Sequence, residues 1–299
     1  MKKHLLAITV AALAVGGAFA QATDTIAKVK ASGTITMGVR DSSGSLAFTL
    51  GDGKYTGFHY EVCQHIIANL EKAVGKKLDI KYQLVTSQNR IPLVQNGTVD
   101  IECGSTTNNA TRQKDVAFAN TVYVEEVRIA VKANSGITTI AQLNGKSVAT
   151  TTGTTSVQLL RKNERATGID FKEVFGKDHA DSFLLLESGR ADAFVMDGQI
   201  LAGNISTAKN PAEYKIVGEP LSVEPIAIML RKDDPAFKKL ADDTIAGMVK
   251  TGEMAKLYDK WFMQPIPPKN VKVGLPASEA TKAAWANLND KPAEDYVKK

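Results

Sequence analysis

The sequence predicts an α/β protein built from two units that face each other across a ligand site. Three observations carry this expectation. From residue 34 onward, short apolar runs alternate with amphipathic stretches; the pattern restarts near "VRIAVK"; and each half carries a hydroxyl-rich cluster directly after an apolar run. Strand, helix and parallel strand in succession imply a mostly parallel sheet with right-handed crossovers.

In the first half, "TITMGV" reads as a strand. "GFHYEVCQHIIANLEKAV" places Phe58, Val62, Cys63, Ile66, Ile67 and Leu70 on one helical face. "LDIKYQLV" reads as a strand, "QNRIPLVQNG" as a short helix stopped at Asn96-Gly97, and "VDIEC" as a further strand. In the second half, "VRIAVK", "KSVATT", "DFKEVF" and "ADAFVMD" are strands with helical stretches between them. "PIAIMLRKDD" adds a strand, and the segment to "DKWF" adds two helices, on which Phe237, Leu240, Ile245, Met248 and Val249 keep helical spacing. Two units of about 100 residues are normal domain sizes. The boundaries expected are 21–125 for the first part of lobe one, 126–220 for lobe two, 221–265 for the return to lobe one, and 266–299 for a tail draped over one lobe. The first junction, "NTVYVEEVRIAV", is extended, and the second, "VGEPLSVEPIAI", is richer in turn residues.

The chain of 299 residues is 43% hydrophobic and 23% charged, ordinary for a globular protein. Its start is different. Lys2 and Lys3 precede an apolar run from Leu5 to Val15, and Ala18-Phe19-Ala20 offers a small-residue cleavage site. The run is shorter than the roughly 20 residues that span a bilayer. Residues 1–20 are therefore read as an export signal cleaved after Ala20, with no cysteine following for a lipid anchor. The formal net charge of +5 falls to +3 once Lys2 and Lys3 leave. The basic residues are dispersed among acids, without an aromatic-interleaved stripe, so nucleic acid is not expected as a partner.

Two cysteines, Cys63 and Cys103, follow the signal. In an exported protein they can form a disulfide, and two free buried thiols remain the alternative. Two cysteines and scattered histidines do not make a zinc site, and "NGKS" does not complete a P-loop. Neither metal nor cofactor is expected.

The chemistry concentrates in "CGSTTNN" (103–109) and "TTTGTTS" (150–156). Each follows a strand and precedes a helical stretch, where open α/β sheets bind ligands and helix N-termini favour anions. One or two hydroxyls per cluster are explained as helix caps, but each cluster has more. Gly104 and Gly153 are small enough to let a ligand approach the backbone.

"GFHYEV", "SQNRIPLVQNGTVDIECGSTTNN", "GTTS", "KDHADS", "MDG" and "WFMQPIPP" resemble, in the same order, the polar amino-acid family of periplasmic solute-binding proteins. More narrowly, they resemble the glutamate/aspartate-binding proteins of ABC importers, over nearly the whole mature chain. The resemblance implies the type II periplasmic binding protein fold, with two α/β lobes joined by two hinge strands and a ligand cleft between them. It implies a periplasmic monomer that hands its ligand to the membrane subunits of an ABC permease. Residue by residue, it implies that Arg90 grips the α-carboxylate of the ligand. Ser105, Thr107 and Thr155 then donate to that carboxylate or accept from the ammonium, and Asp197 pairs with the ammonium. Arg40, with Ser87 and His179, holds the side-chain carboxylate. If Arg90 and Asp197 offset the zwitterion, Arg40 is left as a surplus positive charge, which favours glutamate or aspartate over neutral ligands.

Two other classes compete. A dehydratase on the same architecture needs a proton donor, for which Glu102, Asp178 and Asp181 are available. A Ser105–His179–Asp181 hydrolase lacks the nucleophile elbow. A sensor that presents its liganded form to a receptor has no visible sequence mark.

Overall fold

The computed structural model describes residues 24–296; the export signal and cleavage site expected within residues 1–20 lie outside them. Two five-stranded sheets organise the chain. The first has the order Asp79–Leu84, Thr34–Val39, Ile101–Glu102, Met229–Arg231 and Val116–Phe118. Its first three strands run parallel, and Met229–Arg231 is antiparallel to both neighbours. The crossover helix Phe58–Val74 buries Phe58, Val62, Cys63, Ile66, Ile67, Leu70 and Val74 along one face, and Gly75 ends it at φ 74°. Each of the Phe, Val, Ile and Leu side chains among them, once buried, contributes about 1.5–3 kcal/mol. At the helix start Gly57 has φ 129°, and a Cβ there would sit 2.5 Å from the Leu46 carbonyl oxygen, so glycine is required. Cys63 on this helix is bonded to Cys103, just past the strand Ile101–Glu102. The structure thus settles the pairing that the sequence left open.

The second sheet has the order Lys172–Gly176, Ser147–Thr151, Ala193–Asp197, Tyr123–Lys132 and Tyr214–Ile226. The first three are parallel and the last two antiparallel. Helices Thr155–Thr167, His179–Glu187 and Gly198–Thr207 each start at the carboxyl end of one of the parallel strands.

Tyr123–Lys132 and Tyr214–Ile226 are also the two crossings between the sheets. They pair from Tyr123↔Ile226 to Val127↔Ser222, break register, and resume at Ile129↔Val217. The turn-rich "VGEPLSVEPIAI" is therefore one strand with an irregularity. Gly218 and Pro220 fall in the register break, where Arg128 donates to the Gly218 carbonyl at 2.7 Å, so the turn residues bend the strand without ending it. Beneath the first crossing, Tyr123, Tyr258 and Phe262 stack with centroids 4.3–6.2 Å apart.

The tail packs its apolar residues on the first core and also touches the second sheet's side. Trp285 Nε1 donates to the Val122 carbonyl at 2.8 Å, and the Val124 amide donates to Thr281 Oγ1 at 3.1 Å, against the first crossing. Asn108 donates to the Asp290 carbonyl, while Lys269 reaches the Thr207 carbonyl on the other side. Partly buried Leu275, Ala277, Trp285 and Leu288 extend the first core, which is why the segment packs at the junction. Among the described residues no helix is long and apolar enough to cross a membrane.

Candidate functional site

The carboxyl ends of both sheets meet at a small cavity. Ser87, Arg90, Ser105 and Thr107 line it from the first sheet's side, and Thr154, Thr155, His179, Met196 and Asp197 from the second. Of the residues expected to touch a ligand, seven therefore share one wall. Arg40 stands directly behind, its Nη2 3.1 Å from Ser87 Oγ and 3.1 Å from His179 Nε2.

Gly104 is not part of the wall. A Cβ there would collide with Glu102 Oε1 and lie 2.8 Å from Arg40 Cγ, so protein atoms, not a ligand, require its small size. Its carbonyl accepts from His59 Nδ1. Gly153 has a related role between the two sides. It sits at φ +81°, and a Cβ would come within 2.7 Å of Gln88 Cα across the cleft. The sides also touch where Gln199 donates to the Ser43 carbonyl at 3.2 Å and Arg112 Nη2 to the Gly153 carbonyl at 3.4 Å. The two sides of the cavity are therefore in direct contact.

Most hydroxyls of the two clusters serve the fold. Thr106 donates to Glu102 Oε2 at 2.7 Å, Thr150 to the Val195 carbonyl, Thr152 to the Gly176 carbonyl and Thr154 to the Thr151 carbonyl. Ser105 Oγ lies 3.1 Å from Ser43 Oγ. The helix Thr155–Thr167 opens at the cavity with no side-chain cap on its first turn, leaving its N-terminal N–H groups oriented toward that space.

Asp197 occupies the cap position of the helix Gly198–Thr207 but makes no capping hydrogen bond. Glu125, on the first crossing strand, instead accepts from the Gln199 amide at 3.4 Å. The Asp197 carboxyl is thus free of helix duty. Burial first, and Glu224 second, push its pKa up to about 7 against the opposing pull of Arg90, Arg112 and Arg40. Arg90 is 2% exposed, and its Nε and Nη1 have no hydrogen-bond partner among the described residues. Burial, then the neighbouring Arg112 and Arg40, bring it down to about 9.

The surplus-charge argument for Arg40 does not survive. Arg40 Nη2 lies 2.8 Å from Asp178 Oδ1, and Asp178 Oδ2 accepts from Ser42 Oγ at 2.7 Å. Burial works to raise the Asp178 carboxyl, but Arg40 and its other partners outweigh it and hold the group below the usual carboxylate range. Asp178 comes from the opposite side of the cleft, so the ion pair ties the two sides together. Arg40 Nε and Nη1 still lack partners among the described residues.

His179 has a fixed role. A guanidinium only donates, so Nε2 accepts from Arg40 and Nδ1 carries the proton toward Thr151 Oγ1 at 3.0 Å. Burial, and Arg40 next, lower its pKa to about 3. This also dismantles the Ser105–His179–Asp181 arrangement, because Ser105 faces Ser43 and both imidazole nitrogens are engaged elsewhere.

Sequence reasoning missed Arg112, Asp178 as the Arg40 partner, and Glu224. Arg112 Nη1 donates to the Thr107 carbonyl at 2.9 Å. Its place three residues after "TNN", on the short 3-10 turn Arg112–Lys114, was a usable signal. Glu224 lay inside the stretch taken as a junction. Among the described residues no cluster suited to a metal ion occurs.

The chain is 44% identical over 293 residues to a glutamate/aspartate import solute-binding protein of Escherichia coli, covering 95% of this chain and 97% of that one. It is 44% identical over 275 residues to an L-glutamate/L-aspartate-binding protein of Pseudomonas aeruginosa, 91% of each chain. A crystal structure of a mutant of ArgBP from T. maritima superposes with a TM-score of 0.70 at 27% identity, over 80% of this chain and 99% of that one. The family model for bacterial extracellular solute-binding proteins, family 3, matches residues 35–264. With two α/β lobes closed on a cavity walled by an arginine and an aspartate, and with these matches over most of its length, the chain belongs to the bacterial extracellular solute-binding proteins of family 3.

Proposed function

We propose that this protein binds an acidic L-amino acid, glutamate or aspartate, outside the cytoplasmic membrane and delivers it to the permease subunits of an ABC importer. The observation that carries this reading is the cavity wall itself. Arg90 presents a buried guanidinium with unpartnered donors, and the Asp197 carboxyl, free of capping, lies on the opposite side. An unpaired buried guanidinium costs several kcal/mol, which a ligand carboxylate offsets. Asp197 suits the ammonium of the same ligand. The remaining Arg40 donors, beside Ser87 and His179, suit a second carboxylate. The names of the E. coli and P. aeruginosa relatives support the acidic choice.

Export with cleavage after Ala20 fits this role, as does a division into lobes at residues 125 and 220. The paired stretches Tyr123–Val127 and Ser222–Ile226 then act as the hinge. Ligand contacts from both lobes coexist only in the closed form, so ligand shifts the population toward closure.

A thermal-shift screen of the common amino acids tests the reading. Ligand at a hundredfold excess over Kd adds about 2.7 kcal/mol to stability. Glutamate and aspartate should raise the melting temperature, and leucine and arginine should not. A shift with leucine equal to that with glutamate would overturn the assignment.

A further inference from the structure

Glu224 lies on the crossing strand Tyr214–Ile226 and is 5% exposed. One of its oxygens, Oε2, accepts from Thr107 Oγ1 at 2.6 Å and from Thr155 Oγ1 at 2.8 Å. The other, Oε1, accepts from Ser222 Oγ at 3.0 Å. Thr107 and Thr155 line the cavity from opposite sides, so a single carboxylate oxygen ties the two half-sites together.

A hydroxyl has one proton and two lone pairs, and a carboxylate only accepts. Once Thr107 and Thr155 have both given their protons to Oε2, what they turn toward the cavity is lone pairs. We propose that Glu224 is a positioning residue that sets the polarity of these two hydroxyls. Thr107, Thr155 and Asp197 then form an acceptor-only cup for the ligand ammonium, and the ligand carboxylates fall to the arginines. This rests on the reading of the cavity as an amino-acid site and deepens it. Of the two roles open to the threonines, donor to carboxylate or acceptor from ammonium, Glu224 selects the second. The carboxylate itself does not touch the ligand; its charge is balanced by Arg112, which holds the Thr107 carbonyl.

The test compares glutamate with glutarate, its analogue without the amino group, by calorimetric titration at pH 8. The wild type should bind glutamate more tightly, and the ratio of the two affinities is the readout. Glu224→Gln removes the charge but keeps one oxygen able to accept from both threonines, so the ratio should hold within about threefold. Glu224→Met removes the acceptor, and the ratio should fall about tenfold or more as the hydroxyls turn freely. An equal fall in both variants assigns the effect to charge and overturns the proposal. Equal weakening of both ligands by Glu224→Met, with the ratio kept, makes the residue merely structural and also overturns it.

Thr155→Val supplies an independent arm should Glu224→Met fail to fold. It should weaken glutamate severalfold and leave glutarate nearly untouched. If glutarate loses as much as glutamate, the hydroxyl donates to a carboxylate and the polarity is wrong. A wild type that binds neither ligand sinks the amino-acid reading itself. A wild type that binds both equally sinks only the cup.

Discussion

The two ends of the cavity treat their arginines in opposite ways. Arg40 is held by three groups, Ser87, Asp178 and His179, and its ion pair with Asp178 is made across the cleft. Arg90 is as deeply buried, yet two of its nitrogens have no partner among the described residues, and its neighbours Arg112 and Arg40 repel it. Both arginines leave Nε and Nη1 without partners among the described residues, but only Arg40 has a protein carboxylate, Asp178, paired with it. Affinity should therefore depend most on Arg90, while Arg40, which has a protein partner to fall back on, should adjust selectivity.

The sharpest way to break this contrast is Arg90→Ala. It should lower glutamate affinity about a hundredfold or more, because two charge-assisted hydrogen bonds of about 1.5–3 kcal/mol each are lost. Glutamine, which shares the α-carboxylate, should weaken to the same extent in calorimetric titration. If only glutamate weakens, the roles of the two arginines are exchanged.

Arg40→Met should act more narrowly. Glutamate affinity should fall about tenfold or somewhat more, and glutamine affinity by much less, so that the preference for the acidic ligand shrinks. The variant also leaves Asp178 without its cation, so its melting temperature without ligand should drop. Equal losses for both ligands would show that Arg40 does not read the side chain.

Protons provide a third test at the Arg90 end. Asp197 titrates near 7 in the free site because of burial and Glu224. A carboxyl raised in this way favours the folded state most fully below its ordinary pKa, and that contribution is lost as pH rises through about 7. Ligand ammonium has the reverse preference, since it requires the ionised form. Glutamate should therefore bind about tenfold more weakly at pH 6 than at pH 8, with proton release on binding near neutrality. Titrations in buffers of different ionisation enthalpy would measure that release. No proton release and flat affinity across this range would remove Asp197 from the ammonium.

The smallest effect belongs to His179→Gln. The imidazole is neutral and acts as an acceptor for Arg40, so the change should cost only a few-fold in glutamate affinity, about one ordinary hydrogen bond. Its folded pKa, near 3, is depressed below the usual 6.5. It contributes stability above pH 6.5 that is lost as pH falls toward 3. Between pH 6.5 and 8 the ratio of wild-type to variant affinity should stay constant, and imidazole nuclear magnetic resonance shifts should remain those of the neutral ring.

By itself, the sequence determined whatever depends on local pattern. The 3.6-residue spacing from Phe58 to Leu70 and the apolar runs of the parallel strands specified helix and sheet faces, because burial of a continuous face repeats with the geometry of the element. It also specified that the strand ends at 103–109 and 150–156 carry polar chemistry, while the family resemblance implied the wider set Ser87, Arg90, Ser105, Thr107, Thr155, His179 and Asp197, which shares one cavity. Only the tertiary structure decided the partners. The Arg40–Asp178 pair spans 138 residues and the Thr107–Glu224 bond 117, and no local period encodes contacts at such separations. Gly104 and Gly153 look alike in sequence, yet one yields to Arg40 and Glu102 and the other to the facing backbone at Gln88. Charge balance in the site is a sum over groups from both sides, so the surplus expected at Arg40 from the implied roles of Arg90 and Asp197 disappears when Asp178 is counted. What each charged group is left wanting, and hence what the site can recognise, is fixed by which protein groups closure places within hydrogen-bond reach.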